Sequence, residues 1–133
     1  MQQLLFLSAI FFAIYPSFGQ NIKSYDKVEI QTLYINAKDS VVRFQVLSDS
    51  KKAKYLPKYI YWWYKSNTIL RTMGGADGRL LNGEYVCFYP DNNLKEKGTF
   101  FKGVKDKLWI SWHANGKINE EVTWKKGVIN GQR

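Results

Sequence analysis

From Tyr61 onward, short aromatic runs alternate with runs of Asn, Asp, Gly and Lys. No stretch keeps a helical period bounded by caps, so the pattern predicts short strands joined by turns. Three stretches superpose without a gap at a spacing of 24 residues: YWWYKSNTIL from Tyr61, YVCFYPDNNL from Tyr85 and WISWHANGKI from Trp109. Tyr61, Tyr85 and Trp109 share an aromatic column, as do Tyr64, Phe88 and Trp112. Asn67, Asp91 and Asn115 share a turn column, and Leu70, Leu94 and Ile118 an aliphatic one. Further along, Leu80, Val104 and Val128 match, as do Asn82, Asp106 and Asn130, and Gly103 matches Gly127.

Each unit reads as a hairpin: an aromatic strand, a turn rich in Asn, Asp and Gly, then a second strand such as LKEKGTFFKG from Leu94 or INEEVTWKKG from Ile118. Asn115-Gly116 is the strongest turn signal, because both central residues of a type I′ turn need positive φ. Gly103 and Gly127 punctuate the exits. The paired aromatics lie three apart, and residues three apart on a regular strand face opposite ways. Either both faces are partly covered or a bulge intervenes.

Residues 20–57 carry no repeat. VEIQTLYI from Val28 and VVRFQVL from Val41 read as two strands around a turn at 36–40, a β-hairpin that would cap the N-terminal edge of the array. Ser48 to Lys54 reads as a solvated loop. Ahead of this, Leu4 to Tyr15 is an apolar run about a dozen residues long, too short for the ~20 that span a bilayer, broken by Pro16 and followed by Ser17-Phe18-Gly19. This is the pattern of a signal peptide over residues 1–19 cleaved before Gln20, and it places the protein in the periplasm, the cell envelope or outside the cell.

The repeat columns resemble the MORN repeat in a variant form found in bacterial proteins and labelled antitoxin-like. The likeness is carried by WISWHANGKI followed by VTWKKGVINGQ, and by YVCFYPDNNLKEKGTFFKG, in which Asn92-Asn93 replaces the Gly turn. It covers residues 58–133 as three repeats, 58–81, 82–105 and 106–133, the first being the most divergent. The resemblance implies an all-β, elongated, single-layer antiparallel sheet of successive hairpins. It also implies interaction with membrane phospholipid or protein rather than catalysis.

Charge adds a direction. The 133 residues carry 20 Lys and Arg against 11 Asp and Glu, a net +9 that favours anionic partners such as phospholipid or acidic glycan, or serves solubility alone. The densest basic stretch, Lys51 to Arg79, interleaves with Tyr and Trp, and Lys58, Tyr61, Trp62, Trp63, Lys65 and Arg71 form the candidate binding face. Trp and Tyr beside Lys suit an anionic membrane surface, and the same alternation arises when an antiparallel sheet has one wet face. Nucleic acid is not expected once the chain is exported.

Catalysis has little support. Glu120 and Glu121 are neighbours on a strand and so point to opposite faces. Cys87, the single cysteine, can form no internal disulfide and reads as a buried thiol; His113 reads as a sheet-surface residue. No cofactor or metal is expected. The reading is a non-catalytic envelope module binding an anionic surface or a protein partner. The alternative is an immunity or antitoxin-like protein with one protein partner, and self-association through sheet edges is a further expectation.

Overall fold

Nine strands, all paired antiparallel, run through residues 29–131, which are those the computed structural model describes. They are β1 (Ile30–Ala37), β2 (Ser40–Leu47), β3 (Ile60–Lys65), β4 (Thr68–Met73), β5 (Arg79–Phe88), β6 (Leu94–Phe101), β7 (Val104–Trp112), β8 (Ile118–Lys125) and β9 (Val128–Ile129). The expected signal peptide lies outside the described residues, among which there is no helix. The sheet is open and runs β1-β2-β5-β6-β7-β8-β9, so the fold is the all-β array of hairpins that the repeat columns predict.

The lead-in hairpin forms as expected, with its turn at Lys38-Asp39, and caps the array by pairing β2 with β5 rather than with β3. The β3–β4 hairpin therefore leaves the main path. It joins the sheet through Trp63 opposite Leu80 and Tyr64 opposite Arg79, then lays Trp62, Tyr64 and Ile69 against the core of Phe44, Val46, Leu81, Phe100 and Trp109. A second core on its other side holds Leu47, Tyr61, Trp63, Leu80 and Val104. Ala53 and Tyr55 pack on this second core, so the 48–57 connection is partly seated rather than wholly solvated.

The 24-residue period is written into the backbone bonds. The Asn82 carboxamide oxygen accepts from the Lys102 amide at 2.8 Å, and the Asp106 carboxylate accepts from the Lys126 amide at 2.9 Å. The amide of Gly103 donates to Leu81 and that of Gly127 to Lys105, both at 2.7 Å. Lys102-Gly103 and Lys126-Gly127 are two-residue turns with both φ positive, 45° and 86° in the first, 45° and 88° in the second. That is the I′ conformation, whose twist matches the flanking strands.

The Asn115-Gly116 turn differs from its expectation. Only Gly116 has positive φ, 87°, and the loop is closed by the His113 amide donating to Lys117 at 2.8 Å. The Asn115 side-chain oxygen accepts from the Lys117 amide at 3.0 Å, which holds Asn115 as an Asx turn and leaves the left-handed step to its neighbour. Asn92 takes the same role 24 residues earlier at φ 66°. An I′ turn with both φ positive forms instead at Ser66-Asn67, 50° and 59°.

The aromatics three apart have a plain answer. Val86 and Cys87 are adjacent on β5, hence on opposite faces, and are 2% and 6% exposed, so both faces are covered there. Bulges also occur, with Lys95 and Asn119 left without opposite numbers where the register slips between Cys87 and Phe88 and between Ser111 and Trp112.

Candidate functional site

Residues directly opposite each other on neighbouring strands share a face. The register therefore lays one row across four strands: Cys87 opposite Glu96, Glu96 opposite Ser111, and Ser111 opposite Glu120. The next residues along on that face are Tyr85, Gly98, Trp109 and Val122. Beyond them come Phe100 and Lys105, which are opposite each other, and Trp124. Glu96, Lys105, Trp109, Ser111, Glu120 and Trp124 line a shallow groove of about 60 Å³.

Lys105 lies at the centre. Its Nζ is 4.3 Å from the ring centre of Trp109, 5.4 Å from that of Trp62 and 5.6 Å from that of Trp124. Three indole faces attract an ammonium through their negative π-clouds. Among the described residues no carboxylate pairs with it. Burial lowers its pKa; Glu96 and Glu120 oppose that shift, and Arg71 adds to it. Trp109 itself is fixed from below, its indole lying across Gly98 and its Nε1–H donating to the Thr99 carbonyl at 3.1 Å.

The six residues picked from the sequence divide. Tyr61 and Trp63, 5% and 7% exposed, belong to the second core and are removed from any binding face. Tyr61 Oη accepts from the Leu56 amide and Trp63 Nε1–H donates to Thr72 Oγ1, both at 2.8 Å, so their polar ends are used inside. Alternation decides this: β3 is covered on both sides, with Trp62 and Tyr64 on the opposite face. Trp62 and Arg71 stay together as cross-strand partners, the guanidinium 5.5 Å from the indole centre. Lys65 is exposed and pairs with Asp77 at 2.6 Å, and Lys58 is exposed. The sequence reading missed Lys105, Trp109 and Trp124 as partners of Trp62, because only the folding back of β3–β4 brings them to it.

A second basic feature stands at the turn end of the sheet. Phe101 is 37% exposed, with Lys102 Nζ 5.5 Å and Lys126 Nζ 5.0 Å from its ring centre. Both lysines occupy left-handed backbone, a conformation that disfavours side chains with a Cβ.

Cys87 is a buried free thiol whose pKa is raised first by burial and then by Glu96, against the lowering effects of Lys95 and a hydrogen bond with Ser40. His113 is exposed on its loop. Among the described residues no group of three His, Cys, Asp or Glu could hold a metal ion, and no helix is long and apolar enough to cross a membrane.

Two stretches, residues 81–102 and 105–126, match the family described as the MORN repeat variant. They take in all but the first residues of the β5–β6 and β7–β8 hairpins, the pair related by the repeated Asn82 and Asp106 bonds. No curated protein and no solved structure matches the chain. MORN repeats are in general binding and scaffold modules, with protein or membrane lipid as partner.

Proposed function

We propose that this protein is a non-catalytic binding module of the cell envelope, exported by its N-terminal segment, that seats on an anionic surface. The observation that carries the reading is the exposed ring of Phe101 flanked by Lys102 and Lys126. An aromatic ring at headgroup level together with ammonium groups is what an anionic leaflet attracts, at about 1 kcal/mol per basic residue near the surface.

Co-sedimentation with phosphatidylglycerol-containing and with purely phosphatidylcholine vesicles tests it. Binding to the anionic vesicles alone, weakened by salt and by Lys102→Gly with Lys126→Gly, is the expected result, because screening shortens the reach of exposed charges. Equal binding to both vesicles, or none, overturns it.

An immunity-like role with one protein partner is the second reading. It draws on the outer edge of β8, which β9 pairs only at Trp124 and Lys125, and on the exposed Ile118, Val128 and Ile129 beside that edge. Unpaired strand edges invite a strand from another chain. Such an interface would survive salt that strips the protein from vesicles.

A further inference from the structure

The groove around Lys105 is separate from the Phe101 rim, and its chemistry is not that of an anion site. Glu96 and Glu120 stand on the same face on either side of Ser111, two strand spacings apart, about 9–10 Å at the backbone. Between them and the three indoles sits one ammonium. Among the described residues neither carboxylate has an ion-pair partner.

Elimination narrows the occupant. A simple cation meets Lys105 at the centre. A simple anion meets two carboxylates. An apolar ligand leaves the polar lining without partners, which is costly when the groove is closed over. What remains is a ligand with hydroxyls to donate to the carboxylates, oxygens to accept from Lys105 and Ser111, and an apolar C–H face for an indole. A neutral sugar ring offers all three at once.

We propose that the face formed by Glu96, Ser111 and Glu120, with Lys105 and Trp124, is a glycan-binding site for one neutral pyranose ring, the ring lying toward Trp124 and its hydroxyls reaching Glu96 and Glu120. Trp62 and Trp109 hold Lys105 in place and do not need to touch the sugar. This is independent of vesicle binding, which uses other residues.

The test is a titration of the ¹⁵N-labelled protein with chitotetraose and, separately, with maltotetraose, reading the indole N–H signals. Trp124 and its neighbours Trp109 and Trp62 should shift with at least one oligosaccharide, while Trp63, in the other core, should not. Glu120→Gln, an exposed substitution, and Glu96→Gln should each weaken binding about tenfold, the loss of one charge-assisted hydrogen bond. Unchanged indole signals in the sugar-free variants show that they fold; if Glu96→Gln perturbs them, Glu120→Gln alone decides. No shift with either sugar at about 10 mM, the weak end of useful affinity, overturns the proposal. So do shifts that persist unchanged in Glu120→Gln. Vesicle sedimentation of Glu120→Gln should match the parent, so failure of one reading leaves the other standing.

Discussion

Gly98 on β6 and Trp109 on β7 occupy one place between them: the indole lies where a Cβ on Gly98 would be, meeting it at Cδ2, Cε2 and Cε3. Gly98 has no positive φ, so space alone calls for glycine there. Gly98→Ala should destabilise the protein by about 1–3 kcal/mol through overpacking, measured by urea unfolding. The same substitution should move Lys105 off its seat, visible as a shift in the Trp109 indole signal.

Asn82 and Asp106 hold the amides of equivalent turns. Asn82→Ala and Asp106→Ala should each cost about 1 kcal/mol, the usual net worth of one such bond, and the double variant should cost about their sum if the turns act independently. A thermal or chemical denaturation series checks this. An effect from only one of the two would show that the hairpins are held unequally.

Lys102 and Lys126 should show a trade between stability and binding. Glycine accepts the left-handed backbone without the steric cost of a Cβ, so Lys102→Gly should be neutral or stabilising by up to about 1 kcal/mol even after its greater unfolded-state entropy is counted. The same change should weaken anionic-vesicle binding. Stability by urea melt and binding by sedimentation on one protein sample separate the two effects.

Cys87 should be inert in the folded protein. With its pKa raised, the thiolate stays scarcer than that of an exposed thiol through the ordinary thiol range, so iodoacetamide at pH 8 should label the native chain far more slowly than the chain in denaturant. The sign for stability follows. The raised pKa contributes stability that is fully present below the ordinary thiol pKa and is lost as pH rises through the folded one, and Cys87→Ser should flatten that alkaline loss.

Much of the architecture was legible in the chain. The aromatic columns and the Gly103 and Gly127 exits marked real hairpins, because turn chemistry is local. The column of Asn82 and Asp106 was visible, although its task, accepting an amide 20 residues on, was not. What failed to show was which face each residue takes once strands are covered twice. Tyr61, Trp62 and Trp63 are chemically alike and adjacent, yet β3–β4 folding over the sheet sends the outer two into one core and the middle one towards Arg71 and Lys105. Glu120 looked isolated beside Glu121; Glu96 stands one 24-residue period earlier in the same repeat column, and that shared column, unused in the reading, is what the register turns into one face. The Asn115-Gly116 turn misled for a related reason, since the Asn side chain settled the backbone through its own hydrogen bond.

The start of β9 pairs with β8 as the start of β7 pairs with β6: Val128 opposite Lys125 repeats Val104 opposite Phe101, and Ile129 opposite Trp124 repeats Lys105 opposite Phe100. From β5 to β9 the sheet therefore behaves like a one-dimensional lattice with a fixed step. A block of 24 residues duplicated there would meet the same first pairs at its seam, whereas a block of any other length would arrive out of phase. Length in such a protein changes by whole steps, and each step adds its own stability and a contact to one neighbour.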